Sequence, residues 1–345
     1  MDQVVHAHWR HVYRWDLDKT YLDTRFETLS ELVKIPFERA EDKVNVPGSA
    51  TLLGELGRPQ PDGSNSYIAI VSGSPRQMRE VLEEKLRLDG VHWQEFHLKP
   101  QLRNLRQGRL RALREQVGYK LPLLLESRCR LDPDLAETLF GDDAEVDALV
   151  YSLYADLLSG RCGLKLADQV LAEVGATMEA RRSCEQSLGH LEGQRKAGSD
   201  PVETIFIYLD RGSPPALFAP FGPKLVPVFN YYQAALVLFA RGRIDAGSVL
   251  RITAAFLAAD QCSPQELANL FQDIVRRGHL PYDLMEQLAL AVHDQKEGLA
   301  SAQVLWASAQ RMLDLAELNS DARVSPSDSL DYLELLARLK TARGL

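Results

Sequence analysis

Short runs that read as β-strands alternate with helical patterns over the first two-thirds of the chain. The runs lie at 12–17, 67–71, 95–98, 137–140 and 204–209. The helical patterns between them cover residues 77–88, 108–117, 121–128 and 144–158. Strands and helices that alternate in this way form a mostly parallel sheet with helices on both faces. The sequence therefore predicts an α/β, Rossmann-like fold.

The chain from residue 164 onward has a different pattern, apart from the run at 204–209. A helical insertion is expected near 164–196, and the proline-rich run 211–224 reads as a linker or a chain reversal. Beyond it, only helical periodicity remains. The apolar stretch 225–240 is shorter than the ~20 residues that a membrane span needs, so it is predicted to be a buried helix. We therefore expect a catalytic domain at 1–222 and an all-α domain of unknown role at 223–345.

Composition narrows the class of protein. The chain has 345 residues, a formal net charge of −8 and four cysteines. An acidic chain has no general attraction to nucleic acid, so we expect no stable nucleic-acid complex. Cysteines without CxxC or zinc-ligand spacing are typical of thiols in a reducing compartment. Because the N-terminus also lacks the apolar run of a signal peptide, we expect a cytoplasmic protein.

A pair of acids follows the first predicted strand. Asp16 and Asp18 are two positions apart, and side chains two apart in an extended chain point the same way. The carboxyl ends of strands are where open α/β sheets bind ligands. Two adjacent carboxylates repel each other unless a cation lies between them, and oxygen ligands suit Mg²⁺. One carboxylate could attack phosphorus while the other donates and then withdraws a proton.

A serine and a lysine follow at later strand ends and helix starts. Ser72 and Gly73 come after the second predicted strand, where a hydroxyl and amides could bind phosphate oxygens. Lys120 is the only charged residue between Glu115 and Glu126 and could neutralise a nucleophile and a phosphate together. Each also has an ordinary structural interpretation, as a helix-capping turn for Ser72 and as a surface side chain for Lys120.

An acidic cluster follows the fourth predicted strand. Asp142 and Asp143 come directly after it, and Asp147 follows about one helical turn later. Asp142 suits a metal ligand, although acids at a helix start also serve as N-caps. The order of the motifs favours function, because acid pair, serine, lysine and acid cluster all fall at a strand end or a helix start.

This set of residues resembles the four motifs of the haloacid dehalogenase-like superfamily of phosphatases. More narrowly, the chain resembles the catalytic domain of the actin-patch-type phosphatidate phosphatases, a relative of the lipin catalytic domain. The similar stretches lie within residues 13–211 and are WDLDKTYLDT, VPGSATLLGEL, YIAIVSGSPRQM, GYKLPLLLE, FGDDAEVDALVYSLY and ETIFIYLDR. The tail at 223–345 has no counterpart in this resemblance.

The resemblance implies a role for each residue that matches a motif. Asp16 would be the nucleophile and a Mg²⁺ ligand, and Asp18 would be the general acid and base, with its backbone carbonyl on the metal. Asp142 would complete the metal site. Lys120 would be a catalytic residue that also binds the transferring phosphoryl group.

The remaining matches would support those groups. Thr20 would hold the turn and take part in the substrate site with Ser72 and Gly73. Asp143 and Asp147 would not bind the metal themselves, but would orient its ligands or a water molecule. Two positions depart from the narrower family, because Lys19 stands where an acid is common and Asp143 where serine is common.

The resemblance also suggests a substrate, which is phosphatidate or another large phosphorylated molecule. Residues 21–71, with a candidate helix at 24–33, are too few for a large mobile cap, so the site should be open and small phosphomonoesters should react weakly. A basic segment could attract an anionic membrane surface or could simply be a solvated helix face. Its residues are Lys99, Arg103, Arg106, Arg109, Arg111, Arg114 and Lys120.

Other interpretations stay open. The same fold could carry a non-catalytic binding or scaffold protein, with the helical domain as the contact surface for a protein partner. Phosphoryl transfer to an alcohol acceptor would use the same residues as hydrolysis. The histidines His6, His8 and His11 could form a second metal site or belong to a partly exposed strand.

Overall fold

The computed structural model describes residues 9–24, 39–59, 63–99, 109–144, 146–294, 303–308, 310–311 and 330–342. Several predicted features fall outside these residues, namely His6, His8, Arg103, Arg106 and nearly all of the helix at 24–33. Among the helices in the described ranges, none is long and apolar enough to cross a membrane.

Six strands form one sheet in the order β3–β2–β1–β4–β5–β6. Their bounds are β1 Trp9–Asp16, β2 Asn65–Pro75, β3 Glu95–Lys99, β4 Glu137–Asp142, β5 Val202–Tyr208 and β6 Leu225–Val228. The neighbours from β3 to β5 pair in parallel. The central strands β1 and β4 are buried at almost every position, as is usual for strands covered on both faces. The predicted α/β class with a parallel, Rossmann-like sheet is confirmed.

Helices connect and follow the strands. Their bounds are α1 Ser49–Leu56, α2 Arg79–Leu88, α3 Arg109–Arg128, α4 Asp147–Ser159, α5 Leu164–Glu173, α6 Met178–Gln194, α7 Tyr231–Ala240, α8 Ala246–Ala258, α9 Pro264–Arg276, α10 Tyr282–Asp294 and α11 Tyr332–Ala342. Short 3₁₀ segments cover Ala40–Asp42, Arg76–Met78 and Pro215–Phe221. Residues 303–308 and 310–311 are also helical.

The two helices predicted at 108–117 and 121–128 are in fact one helix, α3, which continues through Gly118 and Pro122. Proline inside a helix removes one backbone N–H and crowds the carbonyl four residues earlier, which is why the sequence predicts a break. Packing outweighs this cost, because α3 contacts α4, α5 and α6, and its residues Val117, Leu121, Leu124 and Leu125 are buried in their common core. At Gly118 a Cβ atom would lie 3.1 Å from the Cβ of Ala176, so the glycine permits this close packing.

Helix α4 lies within this core. Every residue from Leu149 to Leu158 is buried, and the helix also contacts β4 and β5. A helix that is apolar on nearly all sides is expected to be buried on all sides. Each leucine buried in this way contributes about 2 kcal/mol of hydrophobic stabilisation. This burial fixes the start of α4, where Asp147 lies, relative to the sheet.

The apolar stretch at 225–240 is not a single buried helix, which corrects the prediction. Its first part is the edge strand β6, and α7 begins only at Tyr231. Pro227 cannot continue a helix, and edge strands tolerate proline. The side chain of Asn230 then caps α7 by accepting a hydrogen bond from the backbone N–H of Gln233 at 3.2 Å.

The chain divides into two compact units. The first comprises the described residues of Met1–Val44, Pro59–Pro227 and Ser327–Leu345, and the second those of Asn45–Arg58 and Val228–Pro326. This division differs from the predicted boundary at 222/223, because β6 joins the sheet and α11 returns to the first unit.

Helix α11 packs on α4 and α5 within the first unit. The hydroxyl of Tyr332 donates to Asp156 Oδ2 at 2.6 Å, and both side chains are buried. Lys340 Nζ lies 2.5 Å from Glu173 Oε1. The local sequence of α11 gives no signal of the surface that the helix covers, so the sequence alone could not place it.

The segment between β1 and β2 contributes to the second unit. Helix α1 contacts α7 and α8 there, and Arg251 donates to both carboxylate oxygens of Glu55, at 2.7 and 2.9 Å. Residues 21–71 are therefore more than a minimal connection, because part of them belongs to a larger helical body.

A buried network of charges joins β1 to α3 and β4. Arg14 Nε donates to Glu137 Oε2 at 2.5 Å and Arg14 Nη1 to Ser127 Oγ at 2.7 Å. Tyr154 donates to Glu137 Oε1 at 2.8 Å, and Arg128 lies 3.5 Å from the same oxygen. Burial by itself raises the pKa of the Glu137 carboxyl, but the guanidiniums of Arg14 and Arg128 outweigh it and hold that pKa below its usual range.

We predict that Glu137→Gln lowers the free energy of unfolding at pH 7 by at least about 3 kcal/mol, because Arg14 and Arg128 lose their buried counter-charge. A carboxyl whose folded pKa is depressed stabilises the protein above its unfolded pKa, and this is lost as pH falls through the folded pKa. Urea titrations should therefore show the variant and the wild type converging below about pH 4.

The matched control for this prediction is Glu334→Gln, which removes an exposed carboxylate paired with Arg338. That change should alter the unfolding free energy by less than about 0.5 kcal/mol. Equal effects of the two substitutions would contradict the role given to the buried network.

Candidate functional site

The first element of the site is the turn that follows β1. Asp16 is the last residue of this strand and is fully buried. The backbone N–H groups of Tyr21 and Leu22 both donate to the carbonyl of Leu17, which closes the turn. Lys19 has a φ of +60°, a left-handed conformation that costs a lysine about 1 kcal/mol or more. Such strain is common where a loop must hold side chains for a function.

Three carboxylates converge at the carboxyl ends of β1 and β4. Trp15 of β1 pairs with Phe140 of β4, so the two strands end side by side. One ligand oxygen from each of Asp16, Asp142 and Asp147 lies within 4.8 Å of the others, and all three residues are fully buried. Asp147 is the first residue of α4 and thus reaches the group from a helix start.

Lys120 joins two of these carboxylates. Its Nζ lies 2.9 Å from Asp16 Oδ1 and 2.6 Å from Asp147 Oδ1, and the side chain is 0% exposed. The interpretation of Lys120 as a surface lysine is therefore wrong. Buried charges are stable only when they are paired, so this ammonium fixes both carboxylates in position.

The three carboxylates fit a divalent cation. The ammonium of Lys120 offsets one of their three negative charges, and a divalent cation would offset the other two. Octahedral Mg²⁺ with bonds of about 2.1 Å places its ligand oxygens roughly 3 to 4 Å apart. Oxygens within 4.8 Å of one another need only a small inward shift to reach that geometry.

Asp18 lies in a neighbouring group of hydroxyls. Its Oδ2 accepts hydrogen bonds from Ser72 Oγ at 2.9 Å and from Ser74 Oγ at 2.7 Å. The backbone N–H of Ser74 in turn donates to Ser72 Oγ at 2.9 Å. Sequence reasoning selected Ser72 and Gly73 but missed Ser74, which the run Val-Ser-Gly-Ser could have indicated, since residues two apart in a strand share a face.

Further contacts fix Asp142. Thr20 Oγ1 donates to Asp142 Oδ2 at 3.3 Å, and the backbone N–H of Ala144 donates to Asp142 Oδ1 at 2.6 Å. Thr20, which was predicted to hold the turn and join the substrate site, thus connects the β1 turn to the β4 carboxylate. Gly141 allows the close approach of Asp147, because a Cβ atom there would lie 2.4 Å from Asp147 Oδ2 and 2.6 Å from its Cβ.

The structure changes two of the supporting roles. Asp147, predicted to act from behind the ligands, is itself a member of the carboxylate group. Asp143, given the same role, instead accepts backbone hydrogen bonds from Arg211 at 2.8 Å and Ser213 at 3.1 Å. It therefore shapes the loop after β5. The carboxylate of Asp18 is bonded to serines and is not one of the three ligand oxygens grouped in the described part of the chain.

Neither a protein-family model, nor a curated protein, nor a solved structure matches the chain.

We predict that Gly141→Ala weakens Mg²⁺ binding, because the new methyl group would displace the Asp147 carboxylate. The crowding should also lower the unfolding free energy by about 1–3 kcal/mol. Calorimetric titration with Mg²⁺ and urea unfolding measure the two effects. Gly54→Ala is the matched control, since a Cβ there meets nothing within 4 Å, and it should leave Mg²⁺ binding unchanged. Unaltered Mg²⁺ affinity in Gly141→Ala would contradict the assignment of Asp147 to the Mg²⁺ site.

Proposed function

We propose that the chain is a Mg²⁺-dependent phosphomonoesterase of the haloacid dehalogenase-like type, with Asp16 accepting the phosphoryl group. The observation that supports it most is the group of Asp16, Asp142 and Asp147, in which one oxygen of each carboxylate lies within 4.8 Å of the others. Lys120 forms ion pairs with two of these residues, Asp16 and Asp147. A nucleophilic carboxylate, metal-binding oxygens and a buried lysine at the carboxyl edge of a parallel sheet suit phosphoryl transfer.

In the first step, a carboxylate oxygen of Asp16 forms a bond to phosphorus while the bond from phosphorus to the leaving alcohol oxygen breaks. Asp18 donates a proton to that oxygen, so the alcohol leaves neutral. A carboxylate nucleophile needs no base to remove a proton from it. The ammonium of Lys120, 2.9 Å from Asp16 Oδ1, offsets negative charge on the transferring group.

In the second step, the aspartyl-phosphate on Asp16 is hydrolysed. Asp18, now ionised, takes a proton from a water molecule as the water oxygen bonds to phosphorus. The bond between phosphorus and the Asp16 oxygen breaks, which releases inorganic phosphate and restores the carboxylate. The hydroxyls of Ser72 and Ser74 hold Asp18 in the orientation that both steps require.

The residues that would hold the metal are Asp16, Asp142 and Asp147, together with the backbone carbonyl of Asp18 that the family resemblance suggests. When bound, Mg²⁺ would polarise a phosphoryl oxygen and reduce its repulsion from the carboxylates. Thr20 and the N–H of Ala144 keep Asp142 directed at the same point.

The family resemblance favours phosphatidate or another large phosphorylated molecule as substrate. In the same proposal, the helices from α7 to α10 belong to a separate helical domain that could bind a protein partner. A screen with phosphatidate, phosphoproteins, phosphorylated oligonucleotides and sugar phosphates, each with Mg²⁺ and with EDTA, would identify the substrate class. Adding an alcohol acceptor would separate phosphotransfer from hydrolysis.

We predict that Asp16→Asn abolishes Mg²⁺-dependent phosphate release, with a loss of at least about 1000-fold, because an amide cannot form the covalent intermediate. Phosphate release on the best substrate of the screen is the measurement. The matched control is Asp168→Asn, which changes an aspartate of α5 that pairs with Arg181 of α6. This variant should retain activity within about twofold. An Asp16→Asn variant as active as the wild type would end this mechanism.

We also predict that Asp142→Asn and Asp147→Asn each lower Mg²⁺ affinity at least about tenfold, because each removes a negative ligand. Calorimetry on the purified protein measures this without any substrate. Asp143→Asn is the matched control, since its carboxylate bonds to the β5 loop instead. Absence of Mg²⁺ uptake by the wild type, with no activity in the screen, would favour the non-catalytic scaffold.

A further inference from the structure

Two polar residues, Gln116 and Tyr119, precede Lys120 on α3. Gln116 lies four positions before Lys120 and three before Tyr119, so it neighbours both on the helix surface. The end of α3 lies near the start of β4, since Arg128 Nη1 donates to the carbonyl of Leu135 at 2.8 Å. Residues before Lys120 therefore extend toward the carboxyl edge of the sheet, where ligands bind.

Both residues carry a buried polar atom that the described structure does not satisfy. Among the described residues, neither Tyr119 Oη nor Gln116 Oε1 has a hydrogen-bond partner, and both atoms are inaccessible to solvent. An unpaired buried hydroxyl or carbonyl is energetically unfavourable, because it has lost its hydrogen bonds to water. Two such atoms lie within about one helical turn of Lys120, which contacts Asp16. Unpaired buried polar atoms beside a candidate site indicate a place where a ligand can bind.

The hydroxyl of Tyr119 is suited to donate a hydrogen bond. Burial raises the pKa of Tyr119, although the nearby charges of Lys120 and Arg76 oppose the shift, so the hydroxyl keeps its proton at neutral pH. The charge of Asp16 also acts on this hydroxyl, which places it in the same electrostatic environment as the nucleophile. Gln116 Oε1, by contrast, can only accept.

We propose that Gln116 and Tyr119 form a leaving-group subsite that binds a hydroxyl group of the substrate alcohol. A hydroxyl can accept from Tyr119 and donate to Gln116 at once, which satisfies both buried atoms. The substrate class is then a phosphomonoester of a polyhydroxylated alcohol, such as a glycerol or sugar phosphate. A diacylated lipid offers no free hydroxyl at that position. This inference rests on the proposed function, and it favours a hydroxylated alcohol phosphate over the phosphatidate that the family resemblance suggests.

The test compares sn-glycerol 3-phosphate with propyl phosphate, which has the same carbon skeleton without hydroxyls. Tyr119→Phe and Gln116→Met should each raise KM for glycerol 3-phosphate about 5- to 10-fold and leave kcat within about twofold. KM for propyl phosphate should not change. Tyr232→Phe, which removes another buried hydroxyl without a described partner, is the matched control and should affect neither substrate.

A binding measurement keeps this inference separate from the proposed function. In the presence of Mg²⁺, calorimetry should show Asp16→Asn binding glycerol 3-phosphate more tightly than propyl phosphate. Adding Tyr119→Phe should remove that preference. No preference, or equal weakening for both ligands, would overturn the subsite even if phosphate release is confirmed. A preference without any phosphate release would retain the subsite and reject the hydrolase.

Discussion

The contact of the Lys120 ammonium with Asp16 and Asp147 is the interaction on which the site depends. It joins the end of β1, the middle of α3 and the start of α4 in one buried arrangement. Removing one partner of such a group would leave an uncompensated buried charge, at a cost of about 3–5 kcal/mol. The positions of the candidate catalytic groups and the packing of α3 and α4 on the sheet therefore depend on the same contacts.

Helix α3 is fixed at two points by charges of this kind. Lys120 binds the carboxylates at the carboxyl edge, while Ser127 and Arg128 contact the Arg14–Glu137 pair further back on the sheet. Arg14 and Asp16 are two positions apart on β1 and so point to the same face. These two sets of contacts determine how far α3 can slide or turn, and they offset the cost of Pro122 inside the helix.

Much of the site could be predicted because parallel strands place their carboxyl ends at one edge. That rule alone brings Asp16, Ser72 and Asp142 into one region from local patterns. It gives no distances, so the membership of Asp147 in the carboxylate group emerged only from the packing of α4. The edge strand β6 and the return of α11 depend on contacts far apart in sequence, for which local periodicity carries no signal. The role of Ser74 was missed for a simpler reason, because the serine before it already satisfied the expected motif.

If the protein has the proposed function, its charges would also determine the order in which metal and substrate bind. Lys120 is already engaged with Asp16 and Asp147 in the protein as described. A phosphomonoester dianion near Asp16 would face three carboxylates and a single ammonium, and two like charges 4 Å apart repel by about 4 kcal/mol at an effective dielectric constant of 20. In the proposed mechanism, a second source of positive charge would therefore have to be present before a phosphate approaches Asp16. In the proposed phosphatase, the contacts of Lys120 would thus make a divalent cation a requirement for substrate binding, and neutral groups such as those of Gln116 and Tyr119 would discriminate among alcohols without adding to the repulsion.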